Sequence, residues 1–237
     1  AIVLFLENRN EFFKKKWMWY TTLGVFLLGI VFTYSRIHWG IILVLIFSYG
    51  AIRNKKNAAI LFICSCIVYA LFWNSLIHRG NTPIDPIKTT SGRSKIWQGG
   101  LMIAKNHPFF GNGLRTFEVI FPQPEKLQRP NGSFVVNAWH NDFLQVYLES
   151  GIFALITFLW IYYTIARTGI SLLKNKSLFS EDKDIILGVI FALSAFLMEG
   201  FVGGFVVSPI FTHVFRLLLV LLSYYYLQTK PDQAFTK

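Results

Sequence analysis

The chain has 237 residues, of which 54% are hydrophobic, 17% aromatic and only 15% charged, against about 25% charged in a typical soluble domain. The apolar residues come in long runs rather than in alternation, the pattern of membrane-spanning segments rather than of a soluble core. The formal net charge of +11 does not mark a nucleic-acid binder: the basic residues occupy short gaps between apolar runs, where an anionic membrane surface attracts them, and no compact basic and aromatic module is present.

The opening residues, Ala1-Ile2-Val3-Leu4-Phe5-Leu6, read as the end of an earlier span, so the chain is expected to be the C-terminal part of a longer protein. After Arg9 and the triplet Lys14, Lys15 and Lys16, spans are predicted over 17–35, 37–52, 58–77, 143–166, 185–207 and 210–227. All six are expected to be helical, because lipid offers no partner to unpaired backbone groups. The expected fold is therefore an all-α integral membrane protein of about six transmembrane helices, with one large periplasmic loop containing short surface helices. Three regions follow: transmembrane helices in 1–77, a long polar loop expected to be the working face in 78–141, and further spans with a polar tail in 142–237. Cys64 and Cys66 lie inside an apolar run; two positions apart on a helix, their side chains diverge by about 200°, so they are read as buried small residues rather than a disulfide.

Charge placement orients these spans. The gaps at Lys14 to Lys16, Arg53 to Lys56 and Arg167 to Lys183, together with the tail, are basic and alternate correctly as cytoplasmic. The turn at Arg36, the long loop and the Gly203-Gly204 turn then share the opposite face, the periplasm for a bacterial inner membrane. Arg36, Arg93 and His140 thereby come to one side. Between Lys16 and Arg53 lie about 36 residues, or about 54 Å of helix, whereas two crossings of a core about 30 Å thick need about 60 Å. The tip at Arg36 is expected to be drawn toward the hydrocarbon, where a guanidinium needs an anionic partner or a wet cavity.

Two roles are open to Arg36 from sequence: a snorkelling side chain at a helix end, or an anion ligand at membrane depth. Arg93, in Ser91-Gly92-Arg93-Ser94-Lys95-Ile96-Trp97, would leave the first turn of a surface helix capped by Ser91 and ended by Pro108. There it is either a solvated arginine or an anion ligand supported by the helix N-terminus. Phe109-Phe110-Gly111-Asn112-Gly113 reads as a structural turn, since a single Gly-x-Gly is weak evidence of phosphate binding. His140, just before the predicted 143–166 span, is either a cap or a neutral imidazole able to accept a proton. Asp142 stands close enough in sequence to orient it. Glu149, an acid inside the apolar run, is placed about 13 Å deeper along the same helix. His38, His78, His107 and His213 are scattered, and neither a His-Glu-x-x-His pattern nor a Cys/His cluster suggests a metal.

Several of these residues together resemble the O-antigen ligase and polymerase superfamily over roughly 34–169. They are Ser35-Arg36 before a span, Gly92-Arg93 followed by Trp97, and His107-Pro108-Phe109-Phe110-Gly111-Asn112-Gly113. They continue with His140-Asn141 followed by Gly151, with Asp142, Leu144, Gln145 and Glu149 also fitting. The resemblance implies a glycosyltransferase without cofactor or metal. Its donor would be a polyprenyl-diphosphate-linked glycan, and its acceptor a lipid A-core sugar or another hydroxyl. It maps the two essential arginines to Arg36 and Arg93 and the catalytic histidine to His140, with Trp97, Asn141 and Asp142 as further substrate-binding residues. Membrane lipids are the other expected partner; nucleic acid is not expected. Competing readings are an O-antigen polymerase or a protein O-oligosaccharyltransferase using the same donor, and, in another class, a transporter of the lipid-linked glycan.

Overall fold

A computed structural model describes residues 16–32, 35–52, 93–122, 138–204 and 208–229, with isolated positions between 56 and 70. Every regular element among the described residues is helical: α1 (Lys16–Phe32), α2 (Arg36–Ile52), α3 (Arg93–Ile103), α4 (Phe117–Ile120), α5 (Asp142–Lys174), α6 (Ser180–Gly200) and α7 (Pro209–Gln228). Among them α5 and α7 are long and apolar enough to cross a membrane. Helices α1 and α2 have 17 residues each, about 25 Å of helix against a core of about 30 Å. The remnant 1–6, the expected cap Ser91, the loop start at 78–92 and most of the expected span 58–77 lie outside the described residues.

The chain divides into two compact units. The first holds 1–84, 167–195 and 217–237. In it Trp39, Ile46 and Tyr49 of α2 are buried, as are Leu172, Ile186, Leu193 and Leu222, and Tyr49 meets Phe191 edge-on at 6.3 Å between centroids. Gly169 lets α5 close on α6, since a Cβ there would stand 2.6 Å from the Ile190 side chain. The link from α5 to α6 is an Asx turn in which Asn175 Oδ1 accepts the Ser177 N–H at 2.9 Å. Glu181 and Asp182 then stand in the first turn of α6, where the helix dipole favours negative charge.

The second unit holds 85–166 and 196–216, with a core of Ile96, Ile103, Phe117, Phe121, Trp139 and Leu148. Here the structure corrects the expected span 143–166, which is not one straight helix. Gly151 interrupts α5 with φ 78° and ψ −174°, a conformation open essentially to glycine. Phe143 and Phe158 consequently meet edge-on, their ring centroids 5.6 Å apart; a straight helix would set them about 22 Å apart along its axis. The chain thus runs as a short helix over 142–150, reverses at Gly151, and continues over 152–174. That second part has about 23 residues, or about 34 Å of helix, enough to span on its own.

The break exposes backbone groups, and the stretch His107-Pro108-Phe109-Phe110-Gly111-Asn112-Gly113 supplies their partners. The Ile152 N–H donates to Pro108 O at 2.8 Å, while Leu148 O accepts the Asn112 N–H at 2.9 Å and Glu149 O accepts the Gly113 N–H at 2.9 Å. Asn112 Nδ2 adds a second bond to Leu148 O at 2.8 Å. Gly111, at φ 71°, lies where a Cβ would collide with the Glu149 and Ser150 backbone, and Gly151 lies where one would collide with Phe109 and Phe110. Two glycines on facing segments allow backbone to meet backbone, which is the structural use expected for the 109–113 turn.

Candidate active site

The site is built in the second unit, from the start of α3 and the turn that enters α5. Helix α3 carries Arg93 in its first turn and turns Ile96 and Ile103 inward. Gly99 and Gly100 let it lie flush on its neighbours: a Cβ on Gly99 would stand 2.6 Å from Phe121 Cε2, and one on Gly100 would stand 3.0 Å from Trp139, Leu144 and Leu148. One turn after Arg93, the Trp97 indole N–H donates to Trp139 O at 3.0 Å. At the far end of α3 the Tyr147 hydroxyl donates to Ala104 O at 2.9 Å, satisfying a carbonyl that the helix end leaves open.

The turn itself is held at both flanks of His140. Trp139 is completely buried, edge-on to Phe117 at 4.8 Å. Its carbonyl is taken by Trp97, and its N–H donates to Gln145 Oε1 at 3.1 Å. Gln145 Nε2 donates to the Glu149 carboxylate, which also accepts the backbone N–H of Arg115. Arg115 takes φ 57° in the segment pinned to the helix break. Asn141 is the N-cap of α5: its Oδ1 accepts the Leu144 N–H at 2.9 Å, and its Nδ2 donates to Phe201 O at 2.9 Å. Between these fixed neighbours His140 adopts φ 51°, an uncommon left-handed conformation that costs about 1–3 kcal/mol and persists where surroundings enforce it.

Electrostatics at the turn follow from burial and from Arg93. The half-buried His140 imidazole has its pKa lowered, first by desolvation of the charged form and second by the Arg93 guanidinium. The ring is therefore neutral near pH 7 and able to accept a proton. The charge acting on it is that of Arg93. Asp142, expected to orient the ring, has 0% of its surface exposed and abuts Gly200, where a Cβ would stand 3.2 Å from Asp142 Oδ2.

The structure thus brings Arg93, Trp97, His140, Asn141 and Asp142 into one unit. Arg36 heads α2 in the other unit, and its side chain lies outside the described residues. The substrate-contact role expected of three residues meets a physical obstacle: the Trp97 indole N–H and the Asn141 amide are bonded to the protein's own backbone, and Asp142 has no accessible surface. The structural correction to Glu149 is of the same kind. It lies on the short 142–150 helix with Gln145 and Arg115 around its carboxylate, rather than deep in a span. Gln145 and Glu149 had a signal in the sequence, the i, i+4 spacing of two polar groups in an apolar run. Arg115 had none, because its N–H and its charge reach Glu149 only once the distant 107–113 stretch has paired with the helix break.

A model of the O-antigen ligase family matches residues 21–159, more than half of the chain and all of the turn just described. The chain belongs to the O-antigen ligase family. Over 136 residues it is also 35% identical to the exopolysaccharide production protein ExoQ of Rhizobium meliloti (strain 1021), an alignment that takes in 55% of this chain and 29% of ExoQ. This chain therefore spans less than a third of that relative. No solved structure matches it. The family match takes in Arg36, Arg93, His140 and the Gly151 reversal, and it begins and ends earlier than the resemblance drawn from the motifs.

Proposed function

We propose that this member of the O-antigen ligase family transfers a glycan, with inversion and without a metal, from a polyprenyl-diphosphate carrier to a lipid A-core sugar hydroxyl on the periplasmic face of a bacterial inner membrane. One observation carries the assignment. Trp139, Asn141, Gln145 and Glu149 are each hydrogen-bonded into the fold and Asp142 is fully buried, whereas His140 is half-buried beside Arg93 and its ring makes no hydrogen bond among the described residues. A strained, neutral imidazole with both flanking peptides fixed is prepared to act on something outside the protein.

The chemistry follows. The acceptor hydroxyl gives its proton to His140 as its oxygen attacks the sugar C1 from the face opposite the diphosphate. The C1–O bond to phosphorus breaks, and the polyprenyl diphosphate leaves with the electron pair. Arg93 and Arg36 bind that leaving group, guanidinium to phosphate, where low dielectric strengthens each bond. Trp97, Asn141 and Asp142 hold the His140 turn and the Arg93 helix in register. The likeness to an exopolysaccharide production protein supports a second reading with the same donor, in which the acceptor is another lipid-linked repeat and the product is a polymer.

The test uses the full-length protein in vesicles with a polyprenyl-diphosphate-linked glycan. Lipid A-core, a second lipid-linked repeat and a protein hydroxyl acceptor are offered in parallel. His140→Ala should keep donor binding and lose about 10²–10⁴ in turnover. Transfer turnover unchanged in His140→Ala would remove the base, whereas no transfer to any of the three acceptors, with movement of the lipid across the vesicle unaltered by His140→Ala, would favour a transporter.

A further inference from the structure

Around the Gly151 reversal the structure gathers large apolar side chains left exposed among the described residues. Phe110 is 82% exposed, Leu114 77% and Phe109 59%. They are held there by backbone rather than by burial. Gly111 and Gly151 bring the two segments together, and the bonds from Gly113 and Arg115 to Glu149 fix Leu114 between them. Phe109 and Phe110 each approach Phe153 at 6.1 Å between centroids. A soluble turn held this firmly has no reason to present two phenylalanines and a leucine.

The patch continues along the helix. Phe153, Ile156, Trp160 and Tyr163 are exposed, and their spacing of three, four and three residues puts them on one face. That face belongs to the 152–174 helix of spanning length. With Lys174 at one boundary, about 34 Å of helix carries Gly151 across a core of about 30 Å and into the headgroup zone beyond. Phe109, Phe110 and Leu114 are therefore level with the boundary between acyl chains and headgroups. Lys105 and Arg115, both exposed within the same loop, are of the sign that anionic headgroups attract.

We propose that this reversal is an interfacial anchor: Phe109, Phe110 and Leu114 insert into the bilayer leaflet opposite Lys174, with Lys105 and Arg115 at its phosphates. The anchor fixes the height of the 142–150 helix, and hence of the His140 turn, relative to the membrane surface. It rests on 152–174 crossing the bilayer and not on the transfer reaction, so its test leaves that reaction aside. Nitroxide labels are placed at Phe110→Cys, Leu114→Cys and, as a depth reference, Ile156→Cys. In the full-length protein every native cysteine, Cys64 and Cys66 among them, is replaced by serine, and the protein is reconstituted in phosphatidylcholine–phosphatidylglycerol vesicles without donor. Power saturation should show both tip labels more accessible to oxygen than to a water-soluble nickel chelate, at a shallow depth, with the Ile156 label deeper. Preferential access of the chelate to both tip labels would put them in water. Low access to both reagents would mean that protein covers them. Either result overturns the anchor, and agreement between two separate tip positions guards against a local effect of one substitution.

Discussion

Gln145 offers the sharpest test of the idea that the fold prepares His140. Its Oε1 accepts the Trp139 N–H at 3.1 Å and its Nε2 donates to Glu149, and Gln145, Trp139 and Glu149 are all buried. Gln145→Leu keeps volume and helix propensity while removing both bonds. A buried N–H left without an acceptor costs about 1–3 kcal/mol. His140 already sits in a conformation costing about 1–3 kcal/mol, so relaxation of the turn is the easiest escape. If that energy shifts the turn toward non-productive conformers, turnover falls by roughly 5- to 150-fold at about 1.4 kcal/mol per tenfold. Arg93 keeps its place on α3 through Trp97 and the glycine contacts, so donor affinity should hold and the loss should appear in kcat rather than KM. Transfer kinetics in vesicles, with thermal unfolding followed by gel filtration as the stability control, measure both. Wild-type kcat in a folded Gln145→Leu protein would refute the positioning argument, and an equal loss of donor binding would show that the substitution disturbs the whole site.

Other outcomes follow from the same geometry. As the proposed base His140 must be neutral, so the acid limb of the pH–rate profile should fall below the ordinary histidine range; Arg93→Gln removes one of the two causes that lower its pKa and should move that limb to higher pH, and an unmoved limb would separate the two residues. Gly151→Ala forces a side chain into a conformation costing about 1–3 kcal/mol and into the Phe109 backbone. Its melting temperature should drop well below that of Gly113→Ala, which also has positive φ but meets only Thr116 Cγ2 at 3.3 Å. Gly99→Ala drives a Cβ to 2.6 Å from the Phe121 ring, and overpacking of this kind costs about 1–3 kcal/mol, seen as a smaller loss of thermal stability. Transfer should persist after exhaustive chelation with EDTA; activity lost in EDTA and restored by a divalent ion would contradict the metal-free scheme.

What the sequence made legible was composition, punctuation and the helix start beside His140. Long apolar runs become helices because lipid-facing and buried positions both select the same residue types. His140-Asn141 before an apolar run marks a helix start because an asparagine side chain can cap it, as Asn141 does. The reversal at Gly151 was hidden by the same logic that found the helix. Apolar residues continue on both sides of it, and a single glycine in a helix costs only about 1 kcal/mol, so periodicity alone favours a straight span. What decides against it is a pairing between distant backbones, Ile152 with Pro108 and Gly113 with Glu149, and backbone groups are identical in every residue. Glu149 was misplaced for the same reason: its carboxylate meets the amide of Gln145 and both the N–H and the charge of Arg115, a partner 34 residues away that helical spacing could not name. The consequence is mechanistic as well as descriptive. Because the chain doubles back, His140 lies beside the helix that follows it rather than above its end, so under the proposed anchor the height of the proposed base is set by where the Gly151 reversal rests.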